Sequence, residues 1–221
     1  MDEALLGTPG LTDFRVPAVP EGASPYVPGA EPGRVLHVVE PDPTWPTQAA
    51  AVIARIRAVL GEVEVHHVGS TAVPGLPAKP ILDLDLLVPD PDTEDAYVPA
   101  LEAAAFRLVV REPWWHRHRM LRGSDPGVNL HVFAPGSPED ARHRLFRNRL
   151  REHPEDRDRY AAAKRAASAE TAAAGEDVQQ YNARKEAVVR DIYARIFAEA
   201  GSGGFRRGGD QRAKGLGSPT G

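Results

Sequence analysis

The 221-residue sequence predicts an α+β domain: a mixed β-sheet with flanking helices and a C-terminal helical segment. Three observations predict this class. Between two ends rich in Gly and Pro, apolar residues switch between helical and strand periodicity in the order α-β-β-α-β-β-β-α-α-α. The last three helices follow one another without an intervening strand, which a strict βαβ alternation would not give. With 42% hydrophobic and 26% charged residues, the chain carries enough apolar surface for one good-sized core.

The elements follow in order. Residues 7–33 hold six Pro and five Gly without apolar periodicity, so residues 1–33 read as a disordered leader. Thr44 reads as a helix N-cap with Pro46 in the first turn. Ala49, Val52, Ile53, Ile56, Val59 and Leu60 then recur at helical spacing until Gly61. Residues 62–68 read as a strand, followed by a loop with Gly69, Pro74, Gly75, Pro77 and Pro80. Residues 81–88 are the strongest strand. A helix near 93–104 and two or three strands between Phe106 and Phe133 come next, then helices near 138–153, 155–173 and 176–199. Ser137-Pro138-Glu139-Asp140 supplies a capping hydroxyl, a first-turn Pro and two acids suited to the helix dipole. The domain therefore spans 34–200, and residues 201–221 read as a disordered, Gly-rich basic tail.

Composition excludes several functions. The chain has no Cys, which removes disulfides, thiolate metal sites and a cysteine nucleophile, and leaves oxygen ligands and His for any metal. The net charge of −4 disfavours nucleic acid as a partner, although residues 105–153 hold ten Arg against five acids. That local excess suits a small anionic ligand better than a long polyanion. No signal peptide or membrane-spanning run is visible, so a cytoplasmic protein without a membrane partner is expected.

The residues that point to chemistry lie mid-chain. In Ile81-Leu82-Asp83-Leu84-Asp85-Leu86-Leu87-Val88, the apolar residues at alternate positions make a core face, and Asp83 and Asp85 share the other. Their Cα atoms would be about 6.6 Å apart, close enough for two carboxylates to bind one or two divalent cations. The plain alternative is that both face solvent. Just upstream, Gly69-Ser70 ends a strand and offers backbone N–H groups and a hydroxyl to a phosphate, with Lys79 as a compensating charge.

The run His67-Val68-Gly69-Ser70-Thr71-Ala72-Val73-Pro74-Gly75-Leu76, with Ala78-Lys79-Pro80-Ile81-Leu82-Asp83, resembles the signature of the GrpB family, a branch of the nucleotidyltransferase superfamily. The likeness continues at Val39-Glu40-Pro41-Asp42-Pro43-Thr44-Trp45-Pro46, at Val128-Asn129-Leu130-His131-Val132-Phe133 with Gly136-Ser137-Pro138-Glu139, and at Leu145-Phe146-Arg147-Asn148-Arg149-Leu150-Arg151 with His153-Pro154. It covers about residues 35–199. The resemblance implies a nucleotidyltransferase-like sheet in which Gly69 and Ser70 hold the phosphates of a nucleoside triphosphate, while Asp83 and Asp85 bind Mg2+ or Mn2+. The superfamily's usual third carboxylate is absent. His131 takes that inward polar position, with Asn129 beside it, either as base or metal ligand or as a buried His paired to a carbonyl.

Further cations are candidates for phosphate. Trp114-Trp115-His116-Arg117-His118-Arg119 joins aromatic and basic groups, either to stack a base with Arg119 on phosphate or as a turn with packed indoles. Arg144, Arg147 and Arg151 share one helix face, with Arg147 the phosphate candidate and a solvated face the alternative. His66 and His67 point to opposite faces, which disfavours a His-His metal pair. Tyr160, Tyr181, Val188, Val189, Ile192 and Ile196 read as helix packing. The leading expectation is metal-dependent nucleotidyl transfer from a nucleoside triphosphate to an unknown acceptor. The alternative is a non-catalytic module binding a nucleotide or other phosphorylated small molecule, linked to coenzyme A metabolism, because GrpB-like domains also occur fused to dephospho-CoA kinase.

Overall fold

The computed structural model describes residues 2–30 and 37–206. Its first long helix, α2 (Trp45–Leu60), starts with Pro46 in its first turn and stops at Gly61, whose φ of 77° a residue with a Cβ rarely adopts. Ala49, Val52 and Ile56 are buried as their spacing predicts, whereas Val59 is exposed. Thr44 stands at the N-cap position but does not cap. Its hydroxyl and N–H both go to the Asp42 carboxylate, at 2.7 and 2.8 Å.

Five strands form one mixed sheet in the order β1-β2-β5-β4-β3. They are β1 (Glu64–Val68), β2 (Leu82–Leu87), β3 (Phe106–Glu112), β4 (His118–Ser124) and β5 (Gly127–Phe133). The β2–β5 pair is parallel and the other three are antiparallel. Strand β2 lies inside the sheet, between β1 and β5, and its residues alternate as the sequence requires. Leu82, Leu84 and Leu86 enter the core with Val128, Leu130 and Val132 of β5, and Asp83 and Asp85 take the opposite face. Helices α2 and α3 (Val98–Ala103) cover the apolar face, and each Leu fully removed from water there contributes roughly 1.5–3 kcal/mol.

The polar face meets a lobe of three consecutive helices: α4 (Pro138–Glu152), α5 (Pro154–Ala174) and α6 (Val178–Arg206). The Ser137 hydroxyl caps α4 by accepting from the Glu139 N–H at 3.3 Å. A second core cluster joins Leu145, Leu150, Tyr160, Ile192 and Ile196 with Val73 and Leu76 from the loop after β1. The lobe is therefore packed onto that loop. Among the described residues, no helix is long and apolar enough to cross a membrane.

The ends differ from expectation. Residues 2–30 carry a short helix, α1 (Glu3–Leu6), and bury Leu5 and Leu11 in the second cluster. Arg142 of α4 holds this segment by donating to the carbonyls of Gly10, Leu11 and Asp13, at 2.8, 2.8 and 2.6 Å. Composition misled here because two apolar side chains and three backbone carbonyls suffice once a neighbouring lobe supplies their partners. Residues 31–33 of the expected leader lie outside the described residues, as do 207–221 of the tail. Helix α6 runs past the expected boundary at 200 to Arg206.

Candidate functional site

The site begins at the turn after β1. Gly69 has φ of 66° and opens a short 3-10 turn, Ser70–Ala72. A Cβ on Gly69 would lie 2.5 Å from the Asp83 Oδ2, so glycine alone lets the turn pass this close to the carboxylate on the neighbouring strand. Arginines of α4 grip both flanks: Arg147 donates to the His67 carbonyl and Arg151 to the Ala72 carbonyl, each at 2.8 Å. Both guanidiniums are drawn partly out of water, and this burial lowers their pKa values.

The polar face of the sheet makes the floor. Asn129 Nδ2 donates to Asp83 Oδ1 at 3.0 Å, and His131 Nε2 lies 4.0 Å from the same oxygen. Burial raises the Asp83 pKa, and the Asn129 hydrogen bond opposes that rise. Asp85 is 0% exposed and accepts from His143 Nδ1 of α4 with both oxygens, at 2.9 and 3.1 Å. Burial opposes a charge on His143, but the Asp85 carboxylate outweighs it and lifts the His143 pKa to about 9. The pair is an imidazolium carboxylate ion pair at neutral pH.

Behind His131 runs a chain of hydrogen bonds. Glu112 Oε2 is 2.8 Å from His118 Nδ1, and His118 Nε2 is 3.0 Å from His131 Nδ1. Burial lowers both histidine pKa values to about 3, so both rings are neutral. The tautomers then follow in sequence. His118 gives its Nδ1–H to Glu112 and accepts the His131 Nδ1–H at Nε2, which leaves the His131 Nε2 lone pair turned toward Asp83.

The helical lobe makes the remaining wall. Tyr160 and Lys164 of α5 are four residues apart, as are Tyr181 and Lys185 of α6, so each helix projects a ring and an ammonium from one face. Lys79 Nζ lies 3.7 Å from the centre of the Tyr181 ring, Lys185 Nζ 5.3 Å from it, and Lys164 Nζ 5.2 Å from the Tyr160 ring. Lys164 also donates to the Ser70 hydroxyl. Burial pulls the Lys164 pKa down to about 8, with Lys185 adding to the fall; burial and Lys185 lower that of Lys79 as well. Gathering like charges in this way is costly unless an anion offsets them.

These walls enclose a cleft of about 730 Å³. Of the residues singled out in the sequence, Gly69, Ser70, Lys79, Asp83 and His131 line it together. Asp85 does not line it, lying beneath His143. Arg119 and Arg147 are corrected. The Arg119 side chain is buried and ion-paired to Glu94 at 2.5 Å and Asp92 at 2.8 Å, and Arg147 secures the turn from behind. Nor does the Trp114–Trp115 stretch face the cleft: Trp115 packs edge-on against His118 and Phe133. His66 pairs with Asp140 and His67 with Thr71, so the two do not act together. Sequence reasoning missed Tyr160, Lys164, Tyr181, Lys185 and His143. A signal was present, because the chain has only four Lys and three of them line this cleft.

The donor set does not fit a divalent cation as it stands. Asp85 gives both oxygens to His143, and among the described residues no three His, Cys, Asp or Glu side chains converge to hold a metal ion. The expectation of Mg2+ or Mn2+ on Asp83, Asp85 and His131 counted carboxylates without the cation that covers one of them.

A family model described as GrpB protein matches residues 35–195. The chain belongs to the GrpB family. A UPF0157 protein of Halalkalibacterium halodurans is 44% identical over 165 residues, covering 74% of this chain and 83% of that one. A UPF0157 protein of Streptomyces coelicolor is 39% identical over 145 residues, covering 65% and 75%. The crystal structure of the conserved protein GrpB from Enterococcus faecalis superposes with a TM-score of 0.63 at 26% identity, over 74% of this chain and 98% of that one. The chain also matches a dephospho-CoA kinase of Mycolicibacterium paratuberculosis at 34% identity over 200 residues, but spans only 48% of it. The GrpB match begins at residue 35, so residues 2–30 lie outside it.

Proposed function

We propose that this GrpB protein binds a nucleoside triphosphate, or a comparable phosphorylated small molecule, with its phosphates between the Gly69–Ser70 turn and Lys79, Lys164 and Lys185. The observation that carries this reading is that three of the four lysines line one cleft with that turn, Lys164 reaching its Ser70 hydroxyl. Such an arrangement stabilises a polyanion by charge and by N–H donation together.

The reaction proposed for the cleft is nucleotidyl transfer. The acceptor's hydroxyl oxygen bonds to the α-phosphorus, and the bond from that phosphorus to the leaving pyrophosphate breaks with its electron pair. The hydroxyl proton goes to the His131 Nε2 lone pair. As it arrives, the His131 Nδ1 proton passes to His118 Nε2, and the His118 Nδ1 proton passes to Glu112, so no net charge stays on the rings. The lysines offset charge on the phosphates.

Titration calorimetry with ATP, GTP, CTP and UTP, each with and without Mg2+ or Mn2+, tests the binding. Wild type should bind at least one nucleotide, and Lys185→Gln should weaken that binding about tenfold or more. Unchanged affinity in the variant overturns the reading. The non-catalytic alternative, an accessory module in coenzyme A metabolism, is favoured by the sealed Asp85 and by the dephospho-CoA kinase relative. Pyrophosphate release at saturating nucleotide separates the two. Steady release that falls a hundredfold or more in His131→Ala supports transfer, and none under any condition supports the accessory role.

A further inference from the structure

The leader adds a sixth extended segment to the sheet. Strand β3 is at the sheet's edge, and residues 25–27 pair with it: the Val27 N–H donates to the Val109 carbonyl at 3.2 Å, and the Arg111 N–H to the Pro25 carbonyl at 2.8 Å. Tyr26 stands opposite Val110 in this antiparallel bridge. Extended backbone sends successive side chains to opposite faces. Val27 packs against the main core, and Tyr26 is turned to the other face and lines the cleft.

The strand register fixes where Tyr26 sits. Val110 pairs with Met120, Met120 with His131, and His131 with Asp85. Tyr26 therefore ends a row that crosses the polar face and passes through His131. Three strand spacings separate it from β5, about 14 Å. Met120, on that row, lines the cleft, as does Arg122 two residues along the same strand, while Lys79, Lys164 and Lys185 line it together with the Gly69–Ser70 turn. Lys164 reaches the turn's Ser70 hydroxyl, and Tyr26 is the ring that the leader adds to the same cleft. No other described aromatic ring stacks on Tyr26.

We propose that Tyr26 stacks on the planar heterocyclic base of the nucleotide whose phosphates the lysines hold, so that a segment outside the family match sets this chain's base preference. The inference rests on the phosphate-binding reading above. A phenol ring at the end of a cleft gives a base a π-face without demanding one hydrogen-bond pattern. The ring is also presented on paired backbone, which lowers the entropy lost on binding.

The test is calorimetry on the full chain with ATP, CTP and inorganic tripolyphosphate, for wild type, Tyr26→Ala, Tyr26→Phe and Lys185→Gln. Wild type should bind ATP roughly tenfold to hundredfold more tightly than tripolyphosphate, with a smaller advantage for CTP. Tyr26→Ala should lose that advantage and keep its tripolyphosphate affinity, Tyr26→Phe should retain the advantage, and Lys185→Gln should weaken all three ligands. Far-ultraviolet circular dichroism checks that each variant is folded. The proposal is overturned if Tyr26→Ala keeps the advantage, or if wild type binds tripolyphosphate as well as ATP. That second outcome leaves the phosphate reading standing, whereas binding of none of the three ligands removes both.

Discussion

Asp85 and His143 show how a single contact changes what a residue does. On the strand pattern Asp85 equals Asp83, yet His143 reaches it from a helix 58 residues away and converts it from a free carboxylate into half of an ion pair. The His143 pKa is raised to about 9, so its contribution to stability is complete below its ordinary value of 6.5 and is lost as pH rises through 9. Wild type should therefore lose about 2 kcal/mol of unfolding free energy between pH 6.5 and pH 9.5, read from urea midpoints, through this group. His143→Gln should show a correspondingly flatter profile. In Asp85→Asn the His143 ring, followed by NMR, should titrate well below 9, since burial is then opposed only by the weaker pull of Glu139 and Asp83. A His143 pKa still near 9 in that variant would remove Asp85 as the cause.

At the scale of elements, the Gly-Ser turn is where strand, loop and lobe meet. Its conformation is over-determined: Gly69 supplies the positive φ and the clearance for Asp83, Arg147 and Arg151 hold carbonyls on both sides, and Lys164 holds the Ser70 hydroxyl. Gly69→Ala should cost about 1–3 kcal/mol, because the backbone conformation is strained for alanine and Asp83 must move. The same variant should lose nucleotide affinity more than stability alone explains, since a displaced turn no longer faces the lysines. A stability and an affinity within error of wild type would show that the turn accommodates a Cβ. The turn and Asp83 were legible from spacing. The lysines were not, because Ala-rich helices carrying one Lys each look like ordinary packing helices until their Tyr-x-x-x-Lys faces are set side by side.

For the whole molecule, the leader is the largest departure from what composition predicts. Low apolar content and many Pro and Gly argue against independent folding, and residues 2–30 dock on the domain: Leu5 and Leu11 join the second core cluster, and Arg142 holds the Leu11 carbonyl. Leu11→Ala should lower stability by about 2 kcal/mol, measured by urea denaturation, because its side chain fills a seat among α4 and α6. A leader without fixed structure would give no change. The leader also covers the open edge of β3, whose unpaired N–H and C=O groups would otherwise be available to another chain.

The sequence by itself determined the element order from α2 onward, the Asp-x-Asp strand with its two faces, the Gly69–Ser70 turn and the family. All of these are encoded in local periodicity or in contiguous motifs, which depend on neighbours within a few residues. Tertiary structure alone decided which charges meet. It sealed Asp85 with His143, oriented His131 through His118 and Glu112, turned Arg119 and Arg147 away from the cleft, and brought Lys79, Lys164 and Lys185 to one wall. Charge and hydrogen bonding act through distance in space. Residues 85 and 143, or 70 and 164, become partners only after the lobe has packed on the sheet.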